Sequence, residues 1–148
     1  MLVVDDNATS RTILADSLSS FGFDVSEVGS GEEAISEVEN SSENNPYQLV
    51  LMDWRMPGMD GIDTLKQIKR MYPIVEVILL TGHGSTETAV KGMKLGAFDY
   101  LMKPADFEEI KITASGTFLG TGTFLGRHFS KIEKTLFLKS LKTYQKTL

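Results

Sequence analysis

Residues 48–61 read QLVLMDWRMPGMDG: four apolar residues run straight into Asp53, and the chain turns at once through Pro57 and Gly58. An apolar run of this length, bounded by a turn, reads as a buried strand. A buried strand that ends on a carboxylate implies a task for the loop that follows it. Helical spacing returns directly afterwards, with Ile62, Leu65 and Ile68 on one face. The stretch is therefore strand, loop and helix.

The same unit repeats on both sides. Upstream, LVV at 2–4 is a short strand ending in Asp5 and Asp6, followed by a helix with Ile13, Leu14, Leu18 and Phe21 on one side and Gly22 as its stop. Residues 24–28 form a weaker strand, Ser30 and Glu33 give a capping-box signature, and the helix carries Ala34, Ile35 and Val38. NSSENNP at 40–46 is a loop, and the strand of the opening stretch extends over YQLVLM, 47–52. Downstream, Pro73 separates the third helix from VEVILL, a fourth strand that ends at Thr81. GHGS at 82–85 is a loop, with Ser85 capping a helix that runs to Leu95 and stops at Gly96. AFDYLM at 97–102 is a fifth strand leading into Lys103-Pro104, and Asp106 with Glu109 opens a fifth helix. Five strands alternating with five helices predict a parallel sheet with helices on both faces. Ligands of such sheets sit beyond the carboxyl ends of the strands, where Asp5, Asp6, Asp53, Thr81 and Lys103 all fall.

Composition narrows the classes. With 148 residues and 41% hydrophobic content, the chain suits one domain with a real core. It has no run of eighteen apolar residues, no basic-then-apolar leader and zero cysteines, so the expectation is a soluble cytoplasmic protein without a membrane span, disulfides or thiolate metal sites. The net charge of −5 is unevenly spread. Residues 1–114 carry nine basic against nineteen acidic side chains, whereas 115–148 carry six against one. The acidic body argues against direct nucleic-acid binding.

Three carboxylates brought together repel unless a cation shares the site, and a hard divalent ion such as Mg²⁺ suits them. A carboxylate with an open face can attack phosphorus and form an acyl phosphate, while a lysine and a hydroxyl neutralise the phosphoryl oxygens. Each residue also has a plainer reading. Asp5-Asp6 can cap a helix, Thr81 can close a turn, Lys103 can be a solvated charge, Tyr100 can be core, and Arg55 and His83 can be exposed loop side chains. The joint placement at one sheet edge favours function.

Taken in order and with their spacing, LVVDDN, LVLMDWRMPGMDG, ILLTGHGS and KLGAFDYLMKPAD resemble the receiver domains of two-component response regulators, chemotaxis-regulator-like, over about residues 1–114. The resemblance implies a flavodoxin-like, three-layer, doubly wound α/β sandwich of strand order 2-1-3-4-5. It implies that Asp53 is the phospho-acceptor, supplied by a sensor histidine kinase or a phosphotransfer protein. Asp6, Asp53 and the backbone carbonyl of Arg55 would ligate Mg²⁺, with Asp5 acting through water. Thr81 and Tyr100 would be the coupled switch pair on a surface around strands and helices four and five. Lys103 would bind the phosphoryl group ahead of a cis peptide at Pro104. Such a protein catalyses only its own phosphorylation and dephosphorylation.

Three rivals share features. A haloacid-dehalogenase-like Mg²⁺ phosphatase would place its nucleophile first and a second Asp two residues on, where this chain has Arg55. A flavodoxin-type electron carrier would want a hydroxyl-rich phosphate loop where Asp5 and Asp6 stand. A receiver-like docking module would keep the pocket without productive output. Residues 115–148 depart from the family: GTFLG occurs at 116–120 and again at 122–126, and glycine is a poor helix former, so a short fifth helix is expected. The last stretch, HFSKIEKTLFLKSLKTYQKTL, reads as a basic amphipathic helix with Phe129, Ile132, Leu136 and Tyr144 on one side, and its apolar residues need a surface, on this chain or on a second copy in a homodimer.

Overall fold

Period-two alternation along short apolar strands dictates the layering. The computed structural model describes residues 1–41, 43–82 and 86–122. In chain order the elements are β1 (Leu2–Val4), α1 (Ala8–Ser20), β2 (Ser26–Val28), α2 (Gly31–Asn40), β3 (Leu49–Asp53), α3 (Gly61–Met71), β4 (Glu76–Thr81), α4 (Thr86–Lys94), β5 (Asp99–Met102) and α5 (Phe107–Gly122). All strand pairs are parallel, in the order β2-β1-β3-β4-β5. This is the flavodoxin-like order, with the reversal of direction between β1 and β3.

One face of the sheet presents Leu2, Val4, Val50, Met52, Val77 and Leu79, which cluster with Ala34 and Val38 of α2 and with Ile62, Leu65 and Ile68 of α3. Val3, Leu51 and Ile78 alternate with these and are equally buried. Right-handed crossovers put α1 on that second face, where it touches β1 and β2 and buries Leu14, Ala15 and Leu18. Burial on both faces fixes the register, because a slip of one residue would turn the charged strand tips into the core. It also carries much of the stability: truncating a side chain such as Leu51 to Ala costs about 2–5 kcal/mol.

Several boundaries move from the sequence expectation. Strand β2 is confined to Ser26–Val28 and β3 begins at Leu49, since Tyr47 lies beside the core as a half-buried ring whose hydroxyl donates to Glu37 Oε1 at 2.8 Å. Ser30 accepts from the Glu33 amide at 3.1 Å, but the returning Glu33 carboxylate meets the amide of Gly29 at 3.3 Å. Asp106 accepts from the Glu108 amide at 3.0 Å at the start of α5. Helix α5 is not short: its backbone passes Ala114 and continues to Gly122, and the Thr113 and Thr117 hydroxyls donate to the carbonyls of Glu109 and Ala114. The chain divides into compact units at 1–105 and 106–148. His83, Ser85 and the helix expected beyond residue 126 lie outside the described residues. Among those described, no helix is long and apolar enough to cross a membrane.

Candidate functional site: an acidic pocket at the strand tips

Parallel register brings the ends of β1, β3, β4 and β5 to one edge, and the loops that leave them fix the side chains. Asn7, not Asp5 or Asp6, caps α1, accepting from the Ser10 amide at 2.9 Å. The two acids are thereby released from the capping role. Asp5 is 2% exposed; its Oδ1 accepts from the Asn7 amide at 2.9 Å and its Oδ2 lies 3.4 Å from Lys103 Nζ. Asp6, the next residue, is exposed. Asp53 closes β3 at 9% exposure, with Oδ1 3.1 Å from Lys103 Nζ. One carboxylate oxygen from each of Asp5, Asp6 and Asp53 lies within 4.8 Å of the others.

The loop after Asp53 is shaped by close backbone approach. Gly61 donates its amide to the Trp54 carbonyl at 2.8 Å, and a Cβ at Gly61 would stand 2.5 Å from the Asp53 carbonyl oxygen and 2.9 Å from Trp54 Cα. Only glycine fits there. Asp60 caps α3 by accepting from the Asp63 amide at 2.9 Å, and Glu32 Oε1 accepts from the Met59 amide at 3.2 Å, tying the loop to α2. The Trp54 amide donates to the Leu80 carbonyl at 2.7 Å, and the Lys103 amide to the Thr81 carbonyl at 2.7 Å, so the ladder holds β3, β4 and β5 together up to the pocket.

Electrostatics sets the proton positions. Burial pushes the Asp53 carboxyl above its ordinary range; the Lys103 hydrogen bond and charge pull it back, while Asp5 and Asp6 push it further up. Burial works against the Lys103 ammonium, but its hydrogen bond to Asp53 and the charges of Asp53 and Asp5 outweigh that cost, so its pKa stands above the usual lysine value. Among the described residues, the three clustered carboxylates share one ammonium, that of Lys103 against Asp5 and Asp53. The site retains negative charge that a hard cation can take up.

The structure thus brings Asp5, Asp6, Asp53 and Lys103 together. Thr81 is buried at the end of β4, opposite Met102 in register. Tyr100 stands two residues back, opposite Leu79, and its half-buried ring packs on the apolar cluster. Arg55 is exposed in the loop, and the Lys103–Pro104 peptide is cis. Sequence reasoning passed over Glu32 and Gly61, which shape the loop after Asp53, and Arg11, whose Nη1 donates to the Asp5 carbonyl at 2.8 Å. Arg11 carried a signal, one turn into a helix that follows two acids, because helical side chains lean back toward the N-terminus.

Comparison with known proteins identifies the family. The response regulator receiver domain family matches residues 1–115. The transcriptional regulatory protein ZraR of Escherichia coli is 43% identical over 113 residues, covering 76% of this chain and 25% of that protein. The luminescence regulatory protein LuxO of Vibrio campbellii is 35% identical over 113 residues, covering 76% and 24%. This chain spans about a quarter of the length of those relatives. Among solved structures, a response regulator receiver domain protein from Clostridium thermocellum superposes with a TM-score of 0.74 at 33% identity, covering 80% of this chain and 92% of that one. A Francisella response regulator receiver domain gives 0.74 at 30% identity, with 80% and 94% covered. The chain belongs to the response regulator receiver domain family of two-component signalling.

Proposed function

We propose that Asp53 accepts a phosphoryl group from a phosphohistidine of a sensor kinase or phosphotransfer protein, in the cytoplasm and with Mg²⁺. The observation that carries this reading is a buried carboxylate 3.1 Å from Lys103 Nζ within a cluster of three acids at the strand tips. A carboxylate oxygen of Asp53 attacks phosphorus, the P–N bond breaks, and its electron pair stays on the departing imidazole, which then takes a proton. Lys103 already lies against the nucleophile, and it neutralises the phosphoryl oxygens once they arrive. Thr81, buried at the end of β4, offers a hydroxyl on the same edge, and Tyr100 on the adjacent strand is its partner in switching the surface around β4 and β5.

The residues fit Mg²⁺. Asp6 and Asp53 offer carboxylates, the Arg55 carbonyl lies on the adjoining loop, and Asp5, already bonded to Asn7 and Lys103, contributes through water. When bound, the ion offsets the negative charge that gathers as phosphate and carboxylate approach. Catalysis here extends only to the domain's own phosphorylation and dephosphorylation. The receiver module is residues 1–114, with 115–148 an appended segment. The acidic charge of residues 1–114 supports a receiver that makes no direct contact with nucleic acid.

The test is to incubate the chain with Mg²⁺ and a small phosphodonor and weigh it intact. A gain of one phosphoryl group, absent with chelator and absent in Asp53→Asn, is expected. A gain that survives in Asp53→Asn refutes the assignment.

A further inference from the structure

Arg11 lies one turn into α1, its amide bonded to the Asn7 carbonyl at 2.9 Å. A long side chain at that place reaches back over the tip of β1. Its Nη1 donates to the backbone carbonyl of Asp5 at 2.8 Å. The same nitrogen stands 3.0 Å from where a Cβ on Gly29 would be, so the guanidinium lies against the turn that leaves β2. Nε approaches Glu27 Oε1 only to 4.0 Å and, among the described residues, is a buried donor without a hydrogen-bond partner. An unsatisfied buried donor costs about 1–3 kcal/mol, so packing alone gives no reason for an arginine here.

We propose that Arg11 is a positioning residue for the acidic pocket, acting through the Asp5 carbonyl. That carbonyl belongs to the peptide unit that also carries the Asp6 nitrogen. A hydrogen bond to it fixes the plane from which Asp6 departs. The Asp5 carboxylate is already held by the Asn7 amide at 2.9 Å and by Lys103 at 3.4 Å, whereas Asp6 is exposed. Arg11 is therefore the clamp that makes the direction of Asp6 definite, and it braces the tip of β1 against Glu27 and Gly29 of the neighbouring strand and turn. The inference rests on the Mg²⁺-dependent receiver reading above.

Charge and positioning predict opposite signs. A guanidinium bonded to the tip of β1 adds positive charge on the side of the pocket, so by charge alone its removal tightens Mg²⁺ binding. Loss of a group that orients a metal ligand weakens it, by roughly tenfold or more. Calorimetric titration of the full chain with Mg²⁺ decides between them. Arg11→Met, which keeps the stem, is expected to bind about tenfold more weakly than wild type. Arg11→Lys, which keeps a donor for the carbonyl, falls between the two. Arg70→Met, an equal charge change on an exposed residue of α3, leaves the affinity unchanged. Wild-type affinity with equal or tighter binding in Arg11→Met overturns the inference alone, as does a lysine variant no better than methionine. Should Arg11→Met not fold, Arg11→Lys decides by itself: weaker binding supports the clamp and equal or tighter binding overturns it. Absence of Mg²⁺ affinity in the wild type overturns the receiver reading, and this inference with it.

Discussion

Lys69 and Lys103 are both partly buried ammonium groups at the ends of strands, and what they touch differs in kind. Lys69 closes the turn from α3 into β4: its Nζ donates to the carbonyls of Pro73 at 2.8 Å and Val75 at 3.0 Å and lies 3.9 Å from Glu76. Those carbonyls are neutral, and one carboxylate balances one ammonium. Lys103, at the opposite ends of the strands, meets Asp53 at 3.1 Å and Asp5 at 3.4 Å, with Asp6 in the same cluster. There, among the described residues, the acids outnumber the base. At the first edge, burial has been matched group for group, as structure requires. At the second, charge is left over in a half-buried place. That is an expense a fold bears where chemistry is done.

The sharpest way to break this contrast is to remove the proposed nucleophile. Asp53→Asn keeps the shape of the pocket and loses the attacking oxygen, so phosphoryl uptake from a small donor should disappear altogether, read as intact mass. The next largest effect should separate the two lysines. Lys103→Met is expected to slow uptake roughly a hundredfold, because a preorganised cation at the phosphoryl oxygens is lost. Lys69→Met should leave the rate as it is and lower unfolding free energy by about 1–2 kcal/mol, since its carbonyl hydrogen bonds go. Rates are followed by mass against time and stability by denaturant titration. Equal slowing by both substitutions would show that the contrast between the edges is false.

The strand tips were legible in sequence because they combine two independent patterns. The apolar runs of β1, β3 and β4 end abruptly on Asp5, Asp53 and Thr81, and parallel alternation forces such ends together. What sequence does not reveal is how loops close over backbone. By sequence Gly61 is one more glycine after the Pro57-Gly58 turn, yet its work is to let the start of α3 approach the Asp53 carbonyl; the distance concerned arises only when β3 and α3 pack. Asn7 was overshadowed as a cap by the two acids before it. Arg11 was one charge among fifteen basic residues. The extent of α5 was misjudged because glycine propensity is a local preference, and it was overridden over 115–122.

Gly61→Ala tests the backbone part of the comparison with a moderate effect whose sign is informative. Alanine is the better helix former by up to about 1 kcal/mol, so propensity alone forecasts a gain in stability. The new Cβ, however, meets the Asp53 carbonyl oxygen and Trp54 Cα, which are main-chain atoms held by the β3–β4 ladder. They cannot swing aside as a side chain would. A loss of about 1–3 kcal/mol, of the size overpacking usually costs, is expected by denaturant titration, together with weaker Mg²⁺ binding, because the strain falls on Asp53, a member of the acidic cluster. A stabilised variant with unaltered Mg²⁺ affinity would remove Gly61 from the pocket's support.

The smallest effect is the pH dependence of the left-over charge. Burial holds the Asp53 carboxyl above its unfolded value of 3.8, so the folded state binds this proton more tightly than the unfolded chain does. Its contribution to stability is therefore fully present below that unfolded value and is lost as pH rises through the folded one. At neutral pH the ionised group is a net burden on the metal-free fold, despite Lys103. Asp53→Asn cannot ionise, so in chelator it should melt above wild type at neutral pH, and the gap should close on acidification. Saturating Mg²⁺ should narrow the neutral gap by stabilising the wild type, since binding to the folded state alone adds to its stability. Thermal melts of the two proteins across pH, with chelator and with Mg²⁺, supply the comparison. A gap that stays constant with pH would mean that Asp53 carries no excess burden, and the strand-tip edge would then be balanced in the same way as the edge held by Lys69.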